Sequence, residues 1–232
     1  MLVSAFIQKL TNTTLRNLGI TDSVVSRELN PEYRTEILEY INSGLLELYN
    51  KFQLKVDSIF LELQEGRTRY PITSEHAMTN WHEPDREKYI WKTTEGNFEN
   101  DLVKILMARD HTGIEIPLND PNAVISVYTP QFNVIEIPSH FPIQIISIDY
   151  QAKHKPISED ADEIILPDSL YDCLAYYVAA QACSNMNSES SIGNAAKYTQ
   201  LYSGAIQAFD ELGTIQPKHT PSFRKFYLGG WI

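Results

Sequence analysis

The stretch from Asn30 to Phe52, NPEYRTEILEYINSGLLELYNKF, decides how the rest of the chain is read. Asn30 is a good N-cap, because its side-chain oxygen can take an orphan N–H of the first turn. Pro31 suits the first helical position, where its missing N–H would be unpaired anyway, and Glu32 favours the positive end of the helix dipole. Leu38, Ile41, Leu45, Leu48 and Phe52 then step by three and four, which makes one apolar stripe. That stripe needs a partner. Upstream, Val3, Phe6, Ile7 and Leu10 repeat at helical spacing, with Gly19 available as a left-handed stop after Leu18. This first helix is too short to cover the stripe, so the remaining partner has to come from farther along the chain.

Such a partner lies near the other end. Ile164-Ile165-Leu166-Pro167-Asp168 runs from a strand into a helix start, with Asp168 in the first turn. Leu170, Leu174, Tyr177 and Val178 form the apolar face of that helix. A polar connection from Ser184 to Ser191 follows, with Ser190 or Ser191 available as a cap. The last helix carries Ala195, Tyr198, Tyr202, Ala205, Phe209 and Leu212, and Gly213 ends it. Gly204 inside this helix costs about 1 kcal/mol against alanine, which close approach to a neighbouring backbone would offset.

Between the helices the period changes to that of strands. Val56, Ile59, Leu61 and Leu63 lead to a turn at 64–67 and a short strand at 68–72. Leu102 to Arg109 and Ile114 to Leu118 flank Asp110-His111-Thr112-Gly113, a hairpin with Gly where positive φ is needed. Val124 to Tyr128, Val134 to Ile137 and Ile143 to Tyr150 complete the set. Pro117, Pro121, Pro130, Pro138 and Pro142 mark strand ends, since proline cannot donate to a ladder. Ser74 to Asn100 fits no template and reads as a long loop holding Trp81, Tyr89 and Trp91, which are candidates for contact with another subunit or partner.

These readings predict an α+β fold, mainly a helical bundle built from N- and C-terminal helices, with an inserted small antiparallel β module and an extended C-terminal arm. The expected divisions are 1–54 for the N-terminal helices and 55–163 for the β module, whose loop spans 74–100. The C-terminal helical hairpin takes 164–213 and the arm 214–232.

Chemistry is thinly represented. There is no nucleophile elbow, no phosphate loop and no Gly-x-Gly-x-x-Gly, so no cofactor is expected. His82-Glu83 lacks the second histidine of a zinc helix, and His76 and His82 read as solvated loop residues rather than metal ligands. The acidic run Glu159 to Glu163 lacks the ligand alternation of a calcium loop. Asp57 and Glu62 have opposite strand parity, which weakens them as an acid–base pair. Cys173 and Cys183 share one helix about 15 Å apart, beyond disulfide reach, and read as buried apolar residues in a reducing cytoplasm. No segment approaches the roughly twenty apolar residues of a membrane helix.

The formal charge of −11 disfavours a grip on nucleic acid, which needs clustered Lys and Arg. It suits solubility, and also a conduit wall along which a duplex slides without sticking. The last nineteen residues differ. From Thr214 on there are three cations, Lys218, Arg224 and Lys225, and no acid, whereas the rest holds 16 basic against 30 acidic side chains. Phe223, Phe226, Tyr227, Leu228, Trp231 and Ile232 add apolar anchors. Aromatic residues and Arg dominate protein interfaces energetically, so this segment reads as an arm for an acidic, grooved partner.

The run from Ile164 to Val178, with Ala195-Ala196-Lys197-Tyr198 and Leu201-Tyr202 beyond a polar gap, resembles the C-terminal half of head-to-tail adaptor proteins of tailed bacteriophages. Ile41-Asn42-Ser43-Gly44 is similar to that family's Leu-Asn-Asp-Gly element. The resemblance implies a non-enzymatic neck-ring (connector) protein of the virion, made in the bacterial host cytoplasm. It further implies about twelve copies in a homo-oligomeric ring, with Lys218, Phe223, Arg224, Lys225, Phe226, Tyr227 and Trp231 gripping the portal protein. A tail tube or nozzle protein would bind the other face, and DNA would pass the lumen at ejection without specific binding. The rival expectation is a tail-associated hydrolase with a site hidden in the β module.

Overall fold

A computed structural model of the chain describes residues 1–16, 29–78, 87–92, 97–139, 141–186 and 189–212. Among these residues four helices are present: α1 (Val3–Asn12), α2 (Pro31–Lys51), α3 (Asp168–Asn185) and α4 (Glu189–Glu211). Eight strands lie between α2 and α3: β1 (Val56–Glu62), β2 (Arg69–Pro71), β3 (Ile90–Lys92), β4 (Leu102–Asp110), β5 (Glu115–Ile116), β6 (Tyr128–Gln131), β7 (Val134–Glu136) and β8 (Ile145–Ala152). The α+β class holds. The description "mainly helical" does not, because the strands form two antiparallel sheets with a core of their own.

α2 begins as its sequence dictates: the Asn30 side chain accepts from Glu32 N–H, and Pro31 occupies the first turn. Ile37, Ile41, Leu45 and Leu48 are buried, each contributing about 1.5–3 kcal/mol. Their cluster contains Val3, Phe6, Ile7 and Leu10 of α1, Leu170 and Leu174 of α3, and Ile206 and Phe209 of α4. The stripes from the two ends of the chain therefore share one core. α3 lies at its middle and is buried nearly all round, Cys173 and Cys183 included, both as free thiols. Burial pushes the Cys173 thiol up to about 11, which leaves it inert.

α1 stops earlier than its apolar pattern suggests. It ends at Asn12, where Thr11 Oγ1 and Thr13 Oγ1 bond the carbonyls of Gln8 and Lys9, although Leu15 beyond it is still fully buried. Threonine hydroxyls that satisfy the last carbonyls compete with another helical turn. Leu18 and Gly19 lie outside the described residues, as do Trp81, His82, Gly213 and the whole 214–232 segment. At the other end, α4 starts before Ser190 and Ser191, so neither is its cap; Ser191 Oγ instead donates to the Met186 carbonyl. Leu212 does not extend the buried stripe but is 70% exposed.

The glycine argument also moves. A Cβ at Gly204 would meet nothing within 4 Å, so no close approach compensates that residue. Gly44 is the contact glycine: a Cβ there would lie 2.6 Å from Leu174 Cδ1 and 2.8 Å from Tyr177 Cδ1, where α2 packs on α3. Gly44→Val is accordingly expected to lower stability by about 2–3 kcal/mol through overpacking. Gly204→Ala, on an exposed face, should raise it by up to about 1 kcal/mol. Urea midpoints of the isolated subunit would separate the two signs.

The larger sheet has strand order β3-β1-β8-β4-β5, and the smaller β2-β7-β6. The hairpin joining β4 to β5 forms as its sequence predicts, with Gly113 at φ +85° and Arg109 opposite Glu115. Two strand expectations need correction. The strand read at Val124 to Tyr128 starts only at Tyr128 and contains Pro130. Proline is tolerated there because β6 is an edge strand with a register irregularity beside it. The supposed loop from Ser74 to Asn100 holds a 3-10 turn (Ser74–His76) and the edge strand β3, which pairs Ile90 with Leu61 and Lys92 with Ile59.

Candidate functional site

Of the three aromatics singled out in the 74–100 segment, Trp81 lies outside the described residues. Trp91 is half-buried on β3, opposite Phe60 of β1. Tyr89 is fully buried within its own subunit, which removes it as a partner contact. Its hydroxyl donates to the Pro71 carbonyl at 2.6 Å, its ring stacks on His76, and the Arg67 guanidinium sits 4.3 Å from its centroid. The alternation of Tyr89 and Ile90 with polar Lys88 gives no hint of this, since a three-residue edge strand is too short to show a period. His76 Nδ1 lies 2.8 Å from the Glu87 carbonyl.

Two polar constellations had no sequence signal. In the first, the Lys92 ammonium reaches Asp57 at 3.0 Å and Asp101 at 3.7 Å, while Lys55 reaches the same carboxylates at 3.8 and 3.5 Å. Asp57 and Lys92 are almost wholly buried. Tyr150 donates to Asp101 at 2.9 Å, and Ser58 N–H donates to Asp57. Burial alone would raise the Asp57 pKa. The hydrogen bonds from Lys92 and Ser58 and the two ammonium charges outweigh it and hold the carboxyl below its usual 3.8. A carboxylate so held stays ionised and has no proton to deliver. Strand parity is as expected: Asp57 is buried with Ile59 and Leu61, and Glu62 is exposed. The cluster ties the edge strand β3 and the entry to β4 onto β1.

The second constellation is the seam between α2 and the chain leaving β8. The Asn42 amide donates to the Ile157 carbonyl at 2.9 Å and accepts from Ile157 N–H at 2.8 Å, as a strand neighbour would. The buried Gln151 amide donates to the carbonyls of Tyr49 and Phe52 at the end of α2. Tyr49 donates to the Ile165 carbonyl at 2.6 Å. Ile165 N–H in turn donates to His154 Nε2 at 3.1 Å, so the ring proton sits on Nδ1, 2.5 Å from the Lys155 carbonyl.

Burial, seconded by the Lys55 cation, holds His154 below its ordinary 6.5. Protonation at Nε2 would also break the bond from Ile165. The unfolded chain therefore binds this proton more readily, and stability rises with pH through the window. The contribution is complete above about pH 6.5 and is lost as pH falls from there toward the depressed folded value. Urea midpoints between pH 5 and 7.5 should show this slope in the wild type and a flatter one in His154→Gln.

Among the described residues there is no group of three or more His, Cys, Asp or Glu side chains able to hold a metal ion. None of the described helices is long and apolar enough to cross a membrane. What the surface does offer is apolar side chains at exposed points, Leu46, Ile114, Val124, Phe132 and Ile165 among them. In comparison with known proteins, the model of a family described as SU10 adaptor protein matches residues 15–221. No curated protein matches the chain.

Proposed function

The chain belongs to the SU10 adaptor protein family, a phage head-to-tail adaptor family, and from that premise we propose that it forms the ring joining portal to tail in the virion neck. It is a structural phage adaptor whose partners are other virion proteins. In the reading we favour, about twelve copies surround the DNA exit channel, their helices bundled and their acidic surface repelling the duplex so that it passes at ejection without binding. Residues 214–232 reach the portal with Phe223, Phe226, Tyr227 and Trp231 as anchors and Lys218, Arg224 and Lys225 as steering charges. A tail tube or nozzle protein receives the opposite face, and Trp81 and Trp91 contribute to contacts between neighbours. The subunit is made in the host cytoplasm before it joins the particle.

The observation that carries this is the family match over residues 15–221, which runs from the end of the first helical segment into the arm. The charge asymmetry between body and arm supports it independently. The rival hydrolase reading gains no feature from the described β module, because its most buried carboxylates are paired with cations, Asp57 and Asp101 with lysines and Asp149 with Arg109. Electron microscopy of the purified protein mixed with its portal rings tests the proposal. A second ring coaxial with the portal is expected, and bare portals at saturating protein would refute it.

A further inference from the structure

Two features at opposite ends of the β4–β8 ladder carry opposite charge beside exposed apolar side chains. The first is a cleft of about 230 Å³ beside the chain that leaves β8. Leu46 and Pro156 line it with apolar surface, and Lys153 and Lys155 with charge. No carboxylate lines it; Asp162, in the adjoining cleft, feels the Lys155 charge, and Lys153 and Lys155 make no salt bridge among the described residues. Leu46 is 47% exposed, although it lies on a helix whose other leucines are mostly buried. Two lysines around an open apolar trough stand out on a chain of charge −11.

The second is the tip of the β4–β5 hairpin, a rigid knob. Asp110 Oδ1 accepts from Thr112 N–H at 2.8 Å, Thr112 Oγ1 at 2.6 Å and Ile114 N–H at 2.9 Å. Asp110 N–H closes the turn on the Ile114 carbonyl, and Gly113 takes the positive φ that the turn requires. The side chain of Ile114 stands 67% exposed between two acids, Asp110 and the exposed Glu115. The hydrogen bonds from Thr112 hold the Asp110 carboxyl below its usual 3.8, so it stays ionised. The one arginine on the hairpin stem, Arg109, is already paired with Asp149 at 2.6 Å.

We propose that the Asp110–Glu115 tip of one copy seats in the Leu46–Lys153–Lys155 cleft of a second copy, joining copies head to tail. This deepens the ring reading above and rests on it. Ile114 fills the trough beside Leu46 and Pro156, and Asp110 and Glu115 meet Lys153 and Lys155. The same contact cannot close within one subunit. Leu102 pairs with Ala152 beside the cleft and Asp110 with Ile146 at the far end, so the nine residues of β4 hold knob and cleft about 30 Å apart. Two different patches so placed make a heterologous contact, which closes into a ring when the rotation per copy allows. Residues 214–232 are a poorer occupant, because their three cations would face two lysines.

The test uses phage particles whose own copy is replaced by one carrying a photo-crosslinking phenylalanine analogue at Ile114. Irradiation is expected to join two copies, with the product mapping to 42–46 or 153–156 of the second. Lys153→Glu with Lys155→Glu should lower the crosslinked fraction by about tenfold, and adding Glu115→Lys should recover part of it. Crosslinks to another virion protein, to a different part of a second copy, or to nothing while the protein is present in the particle would overturn the contact and leave the ring standing. Absence of the protein from particles would instead remove the adaptor reading, and this contact with it.

Discussion

Deletion of residues 214–232 is expected to leave a folded subunit that no longer binds portal rings. The described apolar core runs to Ile206 and Phe209, and Phe209 packs edge-on against Phe52 with ring centroids 4.9 Å apart. None of those contacts needs a residue beyond α4. The urea midpoint of the truncated chain should therefore stay close to that of the full chain. Binding should behave differently. An aromatic hot spot contributes about 2 kcal/mol or more, so losing two hot spots among these four anchors already amounts to about a thousandfold in affinity. The three cations lost with them predict that binding by the full chain weakens with salt. A pull-down on portal rings with full and truncated chains reads both effects. Retention equal to that of the full chain would mean the arm is not the portal-binding element.

Lys92→Met is expected to lower the stability of the β module by about 3 kcal/mol. Its ammonium is 10% exposed and touches Asp57, which is 6% exposed, and Asp101, which is 14% exposed. Methionine keeps most of the volume but removes the nearer of the two described ammonium groups, leaving Lys55 at 3.8 and 3.5 Å from the two carboxylates. Removing one member of a buried charge group costs more than the pair contributes, because the partner's desolvation is no longer compensated. The pH dependence carries the signature. In the wild type the depressed Asp57 pKa adds stability above the ordinary carboxylate range, and this is lost as pH falls through it. In the variant the like charges favour protonation, so the deficit against wild type should be largest at neutral pH and shrink toward pH 4. A deficit independent of pH would mean that Lys92 acts through packing alone.

The helical part was legible because its signals are local. Asn30, Pro31 and Glu32 mark the start of α2 within three residues, and the stripe through Leu48 continues over several turns. The Asp110–Gly113 turn was legible for the same reason, since Asp and Gly each answer a specific backbone demand. What stayed hidden depends on distant segments. Lys92, Asp57 and Asp101 come from three separate strands or their approaches, and no spacing links them. No local spacing tells a close approach at Gly44 from open space at Gly204; the positions of Leu174 and Tyr177 on α3 do. β3 spans three residues, fewer than alternation needs to be visible, so Tyr89 passed for a surface aromatic. Pro130 was read as a strand end because the rule concerns ladders with neighbours on both sides, and β6 has one.

The amide of Asn42 gives the molecule a mechanical property. Its two bonds to Ile157 fasten the middle of a helix to a stretch of chain that has no strand beside it there. Gln151 does the same one step earlier, at the final carbonyls of that helix. Pulling the helices from the sheets would strand several uncharged donors and acceptors at once, so the two halves should transmit load as one stiff piece. A subunit so built, under load from the proteins it joins, would yield at its contacts with neighbours before it yields inside.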